Sequence, residues 1–378
     1  MLNNAKLIFL KKIIIVGGGL SGLVAANYLA SANIQVAVFE KKEYPFHRVC
    51  GEYISNEVVP FLKSLDIFPV DFELPNIQKL QLTSVNGRSA LLDLDLGGFG
   101  ISRFTFDHFL YQKAKQRGVQ FYLNTEVDSI SFLKNQFEIK TREEVFFGDV
   151  VIGSFGKRSK LDISLKRSFV KKRSPYVGVK YHIRTEHVND LISLHNFKDG
   201  YCGISNVENG ISTLCYLTHR NNVKQHGDLK KMETAVLCRN PFLKDIFEHS
   251  EFLWEKPEVI NEISFETKSP VENHILMSGD AAGMITPLCG NGMAMAIQAA
   301  KLVSENVMQF CIDEITREEL ESKYARTWNL HFSKRLWVGR QIQNLFGKEW
   351  TSDLAVNLAR YSKPVANYLV RKTHGIPF

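Results

Sequence analysis

Four β-branched residues, Ile13-Ile14-Ile15-Val16, lead directly into Gly17-Gly18-Gly19-Leu20-Ser21-Gly22. No other stretch narrows the possible folds as much. A continuous apolar run of this length suits a central parallel strand covered on both faces. Gly17, Gly19 and Gly22 form G-x-G-x-x-G, and Leu23, Ala26 and Leu29 follow at helical spacing. "IQVAVFE" then reads as a second strand, ending at Glu40, 23 residues past Gly17. Each position has a physical task. Gly17 permits the tight turn, Gly19 lets a pyrophosphate approach the backbone, and Gly22 lets helix and strand pack closely. The helix start offers free N–H groups and a positive dipole end, while Glu40 can accept hydrogen bonds from a ribose diol. The segment is long enough to be mistaken for a membrane span, but clustered glycines after a β-branched run read as a strand turning into a helix.

The rest of the composition narrows the function classes. With 378 residues the chain is long enough for two cores. Its six cysteines are scattered without a C-x-x-C pair, which suits reduced thiols and argues against a zinc site. No histidine spacing backed by carboxylates suggests a metal. The net charge of +7 is mild, and no base-reading motif accompanies it, so nucleic acid is not an expected partner. "LKRSFVKKRS" (165–174) concentrates positive charge and reads as a solvated loop or as a docking patch for anionic lipid heads or an acidic carrier. The N-terminal "MLNNAKLIFLKK" lacks the apolar length and cleavage site of a signal peptide. A cytoplasmic protein without a transmembrane segment, membrane-peripheral at most, is the expectation.

A second strand–turn–helix unit lies far downstream. "HILMSGDAAG" is an apolar strand ending at Gly279-Asp280, and "GNGMAMAIQAAKLVSENV" opens a helix at Gly292. Asp280 is the only carboxylate between Met277 and Ala296. Burying a lone carboxylate is costly unless it is paired. An acceptor at a strand end could be satisfied by the hydroxyls of a ribityl chain, which FAD has and NAD lacks. The helix start near Gly292 would then present its positive end to the pyrimidine edge of a flavin.

Between these units the pattern changes to period two. "KLQLTSVNGRSALLDLDL" alternates on both sides of Asn86-Gly87, a hairpin signal, and "YVGVKYHIRT" and "ISTLCYLTHR" alternate likewise. These strands are expected to wall a pocket for a hydrophobic substrate. The tail from Glu319 reads as helices with an apolar stripe through Tyr324, Trp328 and Leu336.

Taken in order, the glycine fingerprint with Glu40, "HRVCGEYIS", "GISRFTFDHFL" and "MSGDAAGMITPLCGNG" resemble FAD-dependent enzymes of the para-hydroxybenzoate hydroxylase and geranylgeranyl reductase superfamily. "VCGE" is similar to the reductase branch, and the whole combination also resembles flavoproteins that accompany type III polyketide synthases. The resemblance implies an α/β fold: a glutathione-reductase-like (Rossmann) FAD-binding domain over 1–75, 97–165 and 268–318. An antiparallel substrate sheet over 76–96 and 166–267 is inserted into it, and residues 319–378 form a helical cap. It places Glu40 on the adenosine ribose, Asp280 on the ribityl chain, Arg48 and Arg103 on the cofactor side, and Val127 where backbone meets adenine. Cys50 would lie near the flavin as a proton donor, with His47 and Glu52 as further candidates for proton transfer or substrate anchoring.

Two departures stand out. Phe155 occupies the position of an aspartate shared between FAD and nicotinamide binding, and "GYCGIS" keeps Tyr201 without the branch's tryptophan and proline. With one Rossmann fingerprint in the chain, NAD(P)H is expected to dock transiently as reductant. The expected activity is hydroxylation of a hydrophobic, polyketide-like aromatic, derived from a carrier protein or a membrane. The alternative is reduction of a polyprenyl or polyene double bond, and a non-catalytic flavin carrier is the third reading.

Overall fold

The computed structural model describes residues 11–343 and 349–378. Its first layer is a six-stranded sheet in the order Val271–Glu272, Ile275–Met277, Val150–Gly153, Ile13–Val16, Val36–Phe39 and Gln120–Tyr122. All neighbours are parallel except the short edge strand Val271–Glu272. Ile13–Val16 sits inside this sheet and is buried throughout, which is why its sequence is apolar without alternation. Three helices cover the sheet: Leu20–Ser31, Arg103–Gln116 and Gly292–Cys311. Asn27, buried in the first of them, donates to the carbonyl of Leu110 in the second and locks the pair. A three-stranded antiparallel sheet, residues 127–148, fills the crossover before Val150–Gly153.

The second layer is a nine-stranded sheet. It contains the hairpin Asn76–Thr83 and Ser89–Gly100, then Leu191–Phe197, Gly200–Asn206, Ser212–His219 and Tyr176–Arg184. Tyr53–Ser55, from the nucleotide-binding segment, closes one edge. The pleat of Tyr176–Arg184 sorts its residues cleanly. Val177, Val179, Tyr181 and Ile183 face a core with Met232, Val236, Leu237 and Leu243 from helices on the outer side. The alternate residues, Gly178, Lys180 and His182, therefore face the first layer.

The tail divides its packing between the layers. In the helix Arg317–Gln343, Tyr324, Trp328 and Leu336 are buried, and the Tyr324 hydroxyl donates to the Met277 carbonyl at 2.5 Å. The helices Glu349–Tyr361 and Lys363–Thr373 pack instead on the outer face of the 76–100 hairpin, through Val356, Ala359 and Ala366 against Ala90 and Leu92.

Candidate functional site

The glycine loop behaves as its spacing requires. Gly17 has φ +105°, and a β-carbon there would meet the Ser154 carbonyl oxygen at 2.4 Å. At Gly22 it would meet the Gly17 carbonyl oxygen at 2.2 Å, so only glycine allows helix and strand this close. Gly19 differs: the nearest atom to its missing β-carbon is the Arg103 guanidinium at 3.9 Å. No side chain caps the helix that Gly19 begins. An open glycine, uncapped N–H groups and a guanidinium together form an anion cradle.

Two arginines border this cradle, and one carboxylate joins them. Arg103 binds Asp107 through two hydrogen bonds of 2.7 Å, and Arg48 reaches the same carboxylate at 3.2 Å. Arg48 also reaches Glu40 at 3.2 Å. The Glu40 carboxylate accepts from the backbone N–H groups of Gly18 (2.9 Å) and Lys42 (3.1 Å), which fixes its orientation at the strand end. The chain then passes Glu40 again, with Thr125 N–H on the Glu40 carbonyl, two residues before Val127. Asp107 was not singled out from sequence. Its signal was the i, i+4 spacing from Arg103 on one helix.

Asp280 lies in the short helical turn Gly279–Ala281, and its carboxylate takes no hydrogen bond from any described residue. It does have a cationic neighbour. The ammonium of Lys268 donates to the backbone carbonyls of Asp280 and Lys157, each at 2.8 Å. Burial pushes Lys268 down to about 8 even though Asp280 and Asp162 oppose that shift. Gly292 opens the following helix with no side-chain cap, and a β-carbon there would meet only Ile285, at 3.8 Å. A carboxylate without a hydrogen-bond donor, an uncapped helix start and the cradle at Gly19 fit an elongated dinucleotide carrying a polyhydroxyl linker. Glu40 would hold the ribose, Gly19 and Arg103 the diphosphate, and Asp280 the ribityl chain of FAD.

The third group of residues joins the two layers. Glu52 is fully buried at φ +55°. Its carboxylate accepts from the Lys180 ammonium, from His182 Nε2 at 2.7 Å and from the Arg103 backbone N–H at 2.7 Å. Burial alone would raise its pKa, but the Lys180 charge and the His182 contact outweigh it and hold the carboxyl at about 2. Glu52 is therefore a buried brace, ionised and occupied. Cys50, on the same loop, is half-buried, and its sulfur accepts the Glu52 N–H at 3.5 Å. His47 is packed among Phe104, Trp254 and His182, with ring centroids 4.6, 4.4 and 5.2 Å away. Burial, then the charges of Lys180 and His182, lower it to about 4, and its buried Nδ1 has no hydrogen-bond partner. The imidazole is thus neutral at pH 7.

Lys180, His182 and Trp254 were missed in the sequence. The available signal was Lys180 and His182 at i, i+2 in an otherwise apolar strand, which puts two polar groups on one buried face. Tyr201 makes a second tie between the layers, its hydroxyl accepting the Leu288 N–H at 2.9 Å. The basic stretch 165–174 is less basic at the surface than it reads. Arg167 is buried, paired with Asp162 at 2.9 Å and donating to the Ala281 carbonyl.

A family model described as an NAD(P)-binding Rossmann-like domain matches residues 15–58. The geranylgeranyl bacteriochlorophyll reductase-like protein of Thermoplasma acidophilum superposes with a TM-score of 0.78 at 16% identity, covering 96% of this chain and 95% of that one. The probable FAD-dependent monooxygenase pqsL of Pseudomonas aeruginosa superposes at 0.73 with 13% identity, covering 91% and 98%. Both layers and the tail are therefore shared. The chain thus has the fold shared by a geranylgeranyl reductase-like protein and an FAD-dependent monooxygenase. Among curated sequences, conditioned medium factor receptor 1 of Dictyostelium discoideum is 23% identical, with 93% of this chain and 71% of that protein aligned. The Cys50-Gly51-Glu52 loop is the part of the first layer that meets the strand Tyr176–Arg184 of the second.

Proposed function

We propose that the protein reduces a carbon–carbon double bond in a hydrophobic chain, with NAD(P)H as a transiently docked reductant. FAD, when bound, supplies the hydride. The residues must then supply one proton to the adjacent carbon and keep bulk water away. Three groups stand at the loop, and the protonation states of two of them weigh against their acting as donors. Glu52 is held ionised by Lys180 and His182, and His47 is already deprotonated at neutral pH. Cys50 Sγ is the remaining candidate on the loop, and the Glu52 N–H at 3.5 Å is placed to stabilise the sulfur once it has given up a proton. That contact is the observation that carries the reading. Solvent returns the proton afterwards. The apolar cluster of Leu194, Leu217, Ile263 and Met284 between the layers supplies the setting for a hydrocarbon substrate.

A second reading, hydroxylation of an aromatic substrate, is supported by His47. Its unpartnered Nδ1 among Phe104 and Trp254 could accept from a substrate hydroxyl while the rings stack. An imidazole held near 4 is a weak base for a phenol, which places this reading second. One experiment separates them. FAD-loaded protein is reduced without oxygen and offered a polyprenyl chain, and the product mass is read. A gain of two hydrogens that falls about 100-fold in rate in Cys50→Ser, with flavin retained, supports reduction. A gain of one oxygen, formed only in air from an aromatic substrate, would overturn it.

A further inference from the structure

We infer that the outer face of the three C-terminal helices docks the protein on an anionic lipid surface. In the helix Glu349–Tyr361, Trp350, Leu354, Leu358 and Tyr361 recur at i, i+4, i+8 and i+11. That spacing sets all four along one stripe. The stripe faces solvent, with Trp350 71% and Tyr361 81% exposed, while Val356 and Ala359 on the opposite side pack into the sheet. The helix thus has two apolar faces, and only one has a partner among the described residues. The neighbouring helices repeat this arrangement. Leu330 and Trp337 are exposed at i, i+7 on Arg317–Gln343, and Val365 and Tyr368 are exposed at i, i+3 on Lys363–Thr373. Scattered exposed apolar residues are ordinary, but contiguous stripes on packed helices mark an interaction surface.

Charge selects the partner. Residues 330–378 contain eight Lys or Arg and two Asp or Glu, a net +6 in a chain whose total is +7. One of the two acids, Asp353, is already matched by Arg88 at 3.7 Å. Lys334, Arg360 and Lys372 are exposed, and no carboxylate of a described residue pairs with them. Arg360 and Lys372 instead lie over the rings of Tyr361 and Tyr368, at 5.6 and 5.0 Å. Trp and Tyr beside unpaired cations is the composition that settles at the headgroup level of a bilayer. No helix among the described residues is long and apolar enough to cross a membrane, so the contact is one of lying on the surface. The docked face backs onto the 76–100 hairpin, which brings the substrate sheet beside the lipid. The inference is independent of the reaction proposed above.

The test uses the full, FAD-loaded chain with vesicles of phosphatidylcholine alone or with about one-third phosphatidylglycerol. Binding is expected to the anionic vesicles, with a blue shift in tryptophan emission and weakening as salt rises. Both Trp350→Ser/Leu354→Ser and Arg360→Glu/Lys372→Glu should weaken it about tenfold or more. All four positions are exposed, and unchanged melting and flavin content establish that the variants fold. No binding to anionic vesicles, or binding untouched by both pairs of substitutions, overturns the inference. So does a concentration-dependent dimer that Trp350→Ser/Leu354→Ser dissolves, since the face would then cover a second copy.

Discussion

Replacing Lys180 with Met removes one charge and nearly preserves the volume of the side chain. Glu52 would keep His182 and the Arg103 N–H but lose its one permanent cation. Two independent routes give the cost. The Glu52 carboxyl at about 2, against an ordinary 4.5, corresponds to about 3 kcal/mol of folding stability at pH 7. Breaking a buried pair by removing one partner costs about 3–5 kcal/mol. We therefore expect a loss of about 3 kcal/mol, or roughly 4 °C in melting temperature for a chain of 378 residues. The sign with pH follows from the direction of the shift. A depressed carboxyl contributes its full stability above 4.5 and loses it as pH falls towards 2. Without Lys180, burial dominates and the carboxyl titrates above its ordinary value. The variant then gains relative stability as pH drops from 7 towards 4, and the gap to the parent narrows. Thermal melts followed by circular dichroism at pH 7, 5.5 and 4 read both effects. Glu52→Gln/Lys180→Met should recover part of the loss, because no unpaired charge remains buried. A loss below about 1 kcal/mol at pH 7, or a gap that does not change with pH, would refute the brace.

Other consequences can be measured directly. Gly22→Ala puts a methyl group 2.2 Å from the Gly17 carbonyl oxygen and 2.5 Å from Ser154 Oγ, so FAD uptake, read as the flavin-to-protein absorbance ratio, should fail. If Asp280 holds the ribityl chain, Asp280→Ala should raise the FAD dissociation constant about tenfold or more by fluorescence titration, since hydrogen bonds to charged groups contribute about 1.5–3 kcal/mol. Lys268, depressed to about 8, is neutral in the folded protein before it is neutral unfolded. Stability should therefore rise between pH 8 and 10 from this group, and Lys268→Met should flatten that limb in denaturant titrations.

Much of the nucleotide-binding layer was legible because its residues act locally. Gly17, Gly19, Gly22 and Glu40 each do work set by a turn, a strand end or a helix start within one βαβ unit. The strand end that carries Asp280 was legible for the same reason. The residues around Glu52 were only partly so. The Cys50 loop drew attention by resemblance, but Lys180 and His182 lie 128 and 130 residues away and meet it only when the second sheet folds over the first. Spacing along a strand shows that two polar groups share a face, yet it does not say what they face. The 165–174 stretch shows the opposite error. Arg167 counts as surface charge in a linear reading, whereas its pairing with Asp162 and the Ala281 carbonyl takes it inside.

The buried bridge from Glu52 to Lys180 and His182 also restricts how the molecule can breathe. Prising the sheets apart at this seam would break the Glu52–Lys180 and Glu52–His182 contacts together, and the Tyr201 tie alongside. The Cys50 loop is consequently tied to both layers, through Lys180 and His182 on one side and the Arg103 N–H on the other. Hinging along this seam therefore carries a cost of about 3 kcal/mol that movement of side chains at the rim does not.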